Sequence, residues 1–389
     1  MSNLSGYFDY NATTPLSDAV KAAMVDAMEQ FENPSAAYAA PDGVKTLMAQ
    51  ARADVAALIG ADPAQIVFTS GATESNNWVL RSILESQDRS GAFVTSAIEH
   101  DATLASGKMI CDQQGRNLRI VSPDSEGIVP AFAIEQACQG DVSLVSLMLT
   151  NNETGAIQPV REVSGIARQT NAFFHVDAVQ AAGKLSVDVS SLCCDSLSLS
   201  AHKFHGPKGV GALYIKNPDA LTPMIVGGGQ EAGLRAGTEN IVGIAGMGAA
   251  AAEARARLAD RTVHVHALRT ALLSELHTRN LSFQVNGPSD QAQTALCTLN
   301  LSFPGIRAES LVARLGLVDG IKVSLGSACS TNKHSRHSHV LQAMGLDEAR
   351  LVGSMRISFG RYTTHGDITR LAAALEDGLG VFQRLAAAE

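Results

Sequence analysis

Apolar and polar positions divide the chain into short apolar runs separated by helical patterns. From Val44, apolar residues at Leu47, Met48, Ala51, Val55, Leu58 and Ile59 recur at three- and four-residue steps, predicting a long amphipathic helix that ends at Gly60. Before it, Ser17 marks a helix start and Asn33-Pro34-Ser35 breaks the first helix. Runs at Ile66 to Thr69, Ala92 to Thr95, Leu118 to Val121, Leu144 to Leu149, Phe173 to Val176, Asp195 to Ser200 and Val210 to Ile215 predict strands. Helical patterns at roughly Asp101 to Gln114, Ala131 to Cys138 and Val160 to Gln169 fall between them. This alternation predicts a mostly parallel sheet covered on both faces. After a Gly-rich polar loop comes an Ala/Gly-rich helix from Ile241 to about Leu258, and a domain boundary is set near its end. The remainder has helices at His264 to Thr278, Ala308 to Leu315 and from Asp367, with strands near Thr298 to Ser302, Lys322 to Ser324 and Met355 to Phe359. It reads as a smaller α/β domain.

Composition agrees with a large core: 389 residues, 46% of them hydrophobic, suffice for more than one domain. A net charge of −8 without a dense Lys/Arg block argues against a nucleic-acid partner and for a small substrate. No basic segment leads into an apolar run at the N-terminus and no apolar stretch has membrane-spanning length, so a cytoplasmic location off the membrane is expected. Cys111, Cys138, Cys193, Cys194, Cys297 and Cys329 show no zinc-type spacing, so no metal is expected and the thiols are expected to stay reduced. A disulfide between the adjacent Cys193 and Cys194 would be strained, so both read as packing residues.

The chemistry collects where strands end, the usual ligand-binding edge of α/β sheets. Ser70-Gly71-Ala72-Thr73 joins a strand to a helix start, where free amides and the helix dipole suit an anion such as phosphate. His100, Asn151-Asn152-Glu153, and Asp177 with Gln180 follow later strands. Lys203 sits between a strand and a Gly/Pro turn, in Ser200-Ala201-His202-Lys203-Phe204-His205-Gly206-Pro207-Lys208-Gly209. A lone lysine there is ordinarily a surface charge. Set among convergent polar groups, it is a candidate amine nucleophile.

Together these phrases resemble the pyridoxal-phosphate enzymes of the class V aminotransferase superfamily, and among them the cysteine desulfurases of the nitrogen-fixation and iron–sulfur-assembly type. The resemblance rests on Asp9-Tyr10-Asn11-Ala12-Thr13-Thr14-Pro15, Phe68 to Asn77, Asn151-Asn152-Glu153-Thr154-Gly155, His175-Val176-Asp177-Ala178-Val179-Gln180-Ala181, and the Lys203 stretch. It continues through Gly228-Gly229-Gln230-Glu231, Gly237-Thr238-Glu239-Asn240, Gly326-Ser327-Ala328-Cys329 and Arg356-Ile357-Ser358-Phe359-Gly360-Arg361. The implied fold is α/β, pyridoxal-phosphate fold type I: a large domain with a mostly parallel seven-stranded sheet flanked by helices over residues 16–258. Residues 1–15 and 259–389 form the small domain, which carries the cysteine loop.

The resemblance implies a role for each residue. Lys203 forms a Schiff base with pyridoxal 5'-phosphate and moves the substrate Cα proton. Asp177 pairs with the pyridine nitrogen, His100 stacks on the ring and, as a catalytic residue, helps move protons, Gln180 meets the ring hydroxyl and Asn152 contacts ring or substrate. Ala72, Thr73, Ser200 and His202 hold the phosphate, and Thr238 reaches the phosphate of a neighbouring subunit in a homodimer. Arg356 binds the substrate carboxylate through its planar fork. Cys329, with His334, His337 and His339 nearby, attacks the sulfur of L-cysteine as a thiolate, leaving alanine and a persulfide for a sulfur-acceptor or scaffold protein in iron–sulfur cluster assembly or tRNA thiolation. A selenocysteine lyase, a weakly active sulfur-assembly scaffold and an aminotransferase are the rival readings.

The chain departs from the family pattern at two places. Ala36, Ala37, Tyr38 and Pro41 lie near the expected substrate entrance; Leu325 and Lys333-His334-Ser335-Arg336-His337 flank Cys329.

Overall fold

The computed structural model describes residues 4–36, 43–325 and 337–386. Seven strands form the main sheet: β1 (Ile66–Thr69), β2 (Ala92–Ser96), β3 (Leu118–Val121), β4 (Val142–Met148), β5 (Phe173–Asp177), β6 (Ser196–Ser200) and β7 (Gly211–Ile215). Their spatial order is β1-β7-β6-β5-β4-β2-β3, and β7 alone runs antiparallel to its neighbours. Most of these strands are buried on both faces and so read as continuous apolar runs. The mostly parallel order brings the carboxyl ends of β1, β2, β4, β5 and β6 to one edge, where the polar phrases lie.

The amphipathic helix forms as its periodicity predicts, over Val44–Leu58, with Met48, Ala51 and Val55 buried. It packs on the helix Ile241–Ala256, whose small residues allow close approach: a Cβ on Gly248 would stand 2.5 Å from Ala51 Cα. The next helix begins at Leu258 rather than His264 and runs to Thr278. The two helices nearly abut because charged residues from Arg255 to Arg261 interrupt the apolar pattern without a Gly or Pro to stop the helix.

A second sheet, ordered β10-β9-β8, comprises β8 (Gln284–Val285), β9 (Thr298–Ser302) and β10 (Ser354–Ser358). Its core unites Phe8 with Leu268, Leu299, Leu311, Ile357 and Leu375, so the N-terminal segment packs among residues from the far end of the chain. The expected strand at Lys322 to Ser324 is reduced to single pairings, Tyr7 with Lys322 and Ser324 with Arg356, because its two ends meet different neighbours. Val340, Leu341 and Met344, late in sequence, pack into the core of the main sheet.

One cysteine expectation fails. Cys194 is buried, but Cys193 is exposed in a left-handed cap after the helix Val189–Leu192, its Sγ turned to Ser190 O at 3.1 Å. Among the described residues, no helix is long and apolar enough to cross a membrane.

Candidate active site

At the strand-end edge lies a cavity of about 450 Å³. Its wall includes Ala72, Thr73, His100, Asn152, Asp177, Gln180, Ser200, His202, Lys203 and Arg356, gathered from both sheets. Thr238 lies outside this wall and is exposed. Cys329 lies outside the described residues, as do Tyr38, Pro41 and His334.

Lys203 closes the short turn Ala201–Lys203 directly after β6. Its Nζ donates to Asn11 O at 2.6 Å and Ala12 O at 3.0 Å, so the N-terminal segment holds the amine on the cavity wall. Asn11 is a hub that the sequence reading left without a role. Its Nδ2 donates to Asn152 O and Thr298 Oγ1, and its carbonyl also accepts from Gln180 Nε2 at 3.0 Å. Lys184 completes the hub, donating to Asn11 Oδ1 at 2.9 Å and to Gln180 Oε1. Burial lowers this ammonium to about 7.

Asp177 ends β5 with one carboxylate oxygen on Asn76 Nδ2 at 2.8 Å and the other on Val179 N at 3.0 Å. Because the Asn76 amide donates to Asp177, its Oδ1 must accept from His175 Nε2 at 3.1 Å. His175 Nδ1 then accepts from Ser196 Oγ at 2.8 Å. Burial lowers the His175 imidazole to about 4, which keeps it neutral and fixes that tautomer. Asn76 and His175 stand 99 residues apart, and only the fold brings them together.

His100 caps the helix Asp101–Gln114, its Nδ1 accepting from Ala102 N at 3.1 Å. The residue lines the cavity. Glu99 beside it is fully enclosed, accepting from Ser96 Oγ at 2.6 Å and Met148 N at 2.9 Å, and burial raises it to about 8. Burial, with Lys203 and Lys208 nearby, lowers His202 to about 4.

Arg356 on β10 is 2% exposed. Its Nη2 pairs with Asp9 at 2.7 Å and Nη1 donates to Asn152 O at 3.1 Å, while Nε is buried without a partner. A buried guanidinium nitrogen with an unmet donor, on a cavity wall, suits an incoming carboxylate.

The donor set fits pyridoxal phosphate. The amides of the first turn of Ala72–Leu84 lack intrahelical acceptors and open on the cavity beside Ser200 and His202, a cradle for phosphate. β7 can pass this cradle only through a glycine: a Cβ on Gly211 would lie 2.7 Å from Gly71 Cα. Across the cavity, Lys203 offers an amine and Asp177 a carboxylate held by two donors, the pair that an aldehyde-bearing pyridine requires.

Comparison with known proteins agrees with this geometry. Cysteine desulfurase IscS of Clostridium botulinum is 38% identical over 368 residues, 94% of this chain and 92% of its own. A solved NifS-like protein superposes with a TM-score of 0.89 at 38% identity, covering 96% of this chain and 99% of that one. SspA, solved in complex with cysteine, gives a TM-score of 0.79 at 34% identity, covering 92% of this chain and 100% of that one. The Aminotransferase class-V family matches residues 6–371, and with the strand-end cavity in place the chain belongs to that family.

Proposed function

We propose that this chain is a pyridoxal-phosphate-dependent cysteine desulfurase, which takes sulfur from L-cysteine, releases L-alanine and carries the sulfur as a persulfide on Cys329. The observation that carries the reading is the meeting of Lys203, Asp177, His100 and Arg356 on one cavity wall. Relatives named cysteine desulfurase, and a related structure holding cysteine, support the substrate.

When bound, pyridoxal phosphate supplies an aldehyde for amines and a protonated ring that draws electrons from the bond being broken. Asp177, held by Asn76 and Val179, would keep a proton on the pyridine nitrogen. Ala72, Thr73, Ser200 and His202 would hold its phosphate, His100 would lie against its ring, and Gln180, fixed by Lys184, would bond its hydroxyl. Arg356 takes the substrate carboxylate, with Asn152 beside it. Lys203 Nζ, held on the cavity wall by Asn11 O and Ala12 O, would take the Cα proton of the substrate. The Cys329 thiolate attacks the substrate sulfur: a C–S bond breaks, an S–S bond forms, and the electron pair left on carbon is protonated to give alanine. Cysteine and a thiol thus become alanine and a persulfide, with no external oxidant.

Two anchors support delivery by the segment around Cys329. Ser324, before it, pairs its backbone with Arg356, and Ser338, after it, donates to Glu153 Oε2 at 2.6 Å beside the cavity. The same reading has residues 16–258 and residues 1–15 with 259–389 as two domains. It makes the enzyme a cytoplasmic homodimer in which Thr238 serves the neighbouring cavity, and it calls for an acceptor or scaffold protein. The test is alanine release by the holoenzyme from L-cysteine and from L-selenocysteine. Turnover of cysteine that disappears in Lys203→Ala, along with the cofactor's visible absorption, is expected; activity confined to the selenium substrate would overturn the assignment.

A further inference from the structure

Behind the Lys203 turn lies a second cavity, of about 200 Å³, whose wall includes His205, Glu253, Arg257, Arg261, His264 and Arg361. Arg261 spends Nη1 on Gly183 O at 2.7 Å. Its Nε and Nη2 are shut off from solvent and have no partner. These two N–H groups lie along one edge of the planar guanidinium, at the spacing of the two oxygens of a carboxylate.

A buried cation without a counter-charge is costly. Glu253 is already taken, by Arg361 Nη1 at 2.8 Å and Arg257 Nε at 3.6 Å. Asp260 is exposed. Among the described residues, no carboxylate lies within ion-pair distance of Arg261.

The imidazoles add a second kind of demand. His205 Nε2 and His264 Nε2 are also enclosed without partners. His205 Nδ1 lies 2.8 Å from Pro15 O, and since a carbonyl only accepts, Nδ1 carries the proton. Burial holds this ring neutral, lowered to about 3. His205 Nε2 is therefore an acceptor without a partner, on a residue that lines the cavity together with Arg261.

We propose that this cavity binds a small carboxylate bearing a hydroxyl or amino donor, its oxygens on the Nε/Nη2 edge of Arg261 and its donor on His205 Nε2. The site is separate from the cavity of Lys203 and does not depend on the desulfurase reading. Glycolate is the probe, because it has no amine to react with a cofactor, and acetate is its donor-free counterpart.

Calorimetric titration of the holoenzyme with glycolate should show binding that weakens about tenfold or more in Arg261→Gln, the usual cost of losing charge-assisted hydrogen bonds. Arg261→Lys keeps the charge without the fork and should also bind weakly; it decides the matter if Arg261→Gln does not fold. Arg356→Gln should leave glycolate binding in place, separating this cavity from the first. Acetate should bind less tightly than glycolate, with the difference removed by His205→Phe. A glycolate-soaked crystal should place the carboxylate on Arg261. Water alone in the cavity, glycolate confined to the cavity of Lys203, or affinity indifferent to both Arg261 variants would overturn the proposal.

Discussion

Replacing Asn76 by alanine removes the one side chain that joins Asp177 to His175. Asn76 is 1% exposed, so solvent cannot readily take over its contacts with Asp177, His175 and Thr103. The lost bond to Asp177, at 2.8 Å, is charge-assisted. Hydrogen bonds to charged groups contribute about 1.5–3 kcal/mol. If Asp177 acts by keeping the pyridine nitrogen protonated, loss of that support should lower kcat/KM for alanine release by about ten- to hundredfold. Val179 N still holds the other oxygen, so activity should fall without vanishing. The variant also leaves His175 Nε2 with only the longer contact to Ser198 Oγ at 3.4 Å, so some loss of thermal stability is expected, and rate alone does not isolate the effect. Two further readouts do: the affinity of the apoprotein for pyridoxal phosphate and the pH at which the bound cofactor's absorption changes. Both should shift in Asn76→Ala at temperatures well below its unfolding. A folded Asn76→Ala protein with parental rate, cofactor affinity and absorption titration would refute the role given to this chain of hydrogen bonds.

Other consequences concern buried charge and close packing. Burial lowers Lys184 to about 7 from 10.5, so the folded chain gives up this proton before the unfolded chain does. Its contribution to stability therefore improves as pH rises across that window; urea unfolding at pH values spanning it should show the parent gaining on Lys184→Met, and a constant difference would count against the assignment. Glu99 has the opposite sign: raised to about 8 from 4.5, it favours the fold most at low pH and loses that advantage as pH rises to the folded value. Glu99→Gln, a close match to the protonated acid, should gain on the parent over the same interval by the same assay. Gly211→Ala drives a Cβ to 2.6 Å from Leu199 O and against Gly71, and should cost about 1–3 kcal/mol of stability with weaker cofactor retention, read by thermal melts of apo- and holoprotein.

The helix Val44–Leu58 was legible because a surface helix repeats its apolar face every three or four residues, a local pattern. The strands of the main sheet were legible for a similar reason, and the ends of β5 and β6 gave Asp177 and Lys203 as candidates. Their supports were not. Asn11, Asn76 and His175 fell inside the recognised phrases, but the contacts that give them their place, Asn76 with His175 and Asn11 with Lys184 and Lys203, span 99, 173 and 192 residues, and no spacing encodes them. Nothing local marks Lys184; its burial follows only once the fold brings Asn11 and Gln180 against it. The exposure of Cys193 was missed because its left-handed cap depends on how the short helix Val189–Leu192 stops. Arg261 stood in a charged stretch that reads as a solvated helix face, and the cavity behind Lys203 turns that face inward.

The central claim is that sulfur leaves cysteine at this site and stops on Cys329. The most direct measurement is mass spectrometry of the intact holoenzyme and its proteolytic peptides after brief exposure to L-cysteine without reductant. The account predicts one added sulfur on the peptide holding Cys329, matched by alanine release, and no such addition in Lys203→Ala. Alanine and sulfide formed at the parental rate by Cys329→Ala, or sulfur found on another cysteine instead, would contradict it.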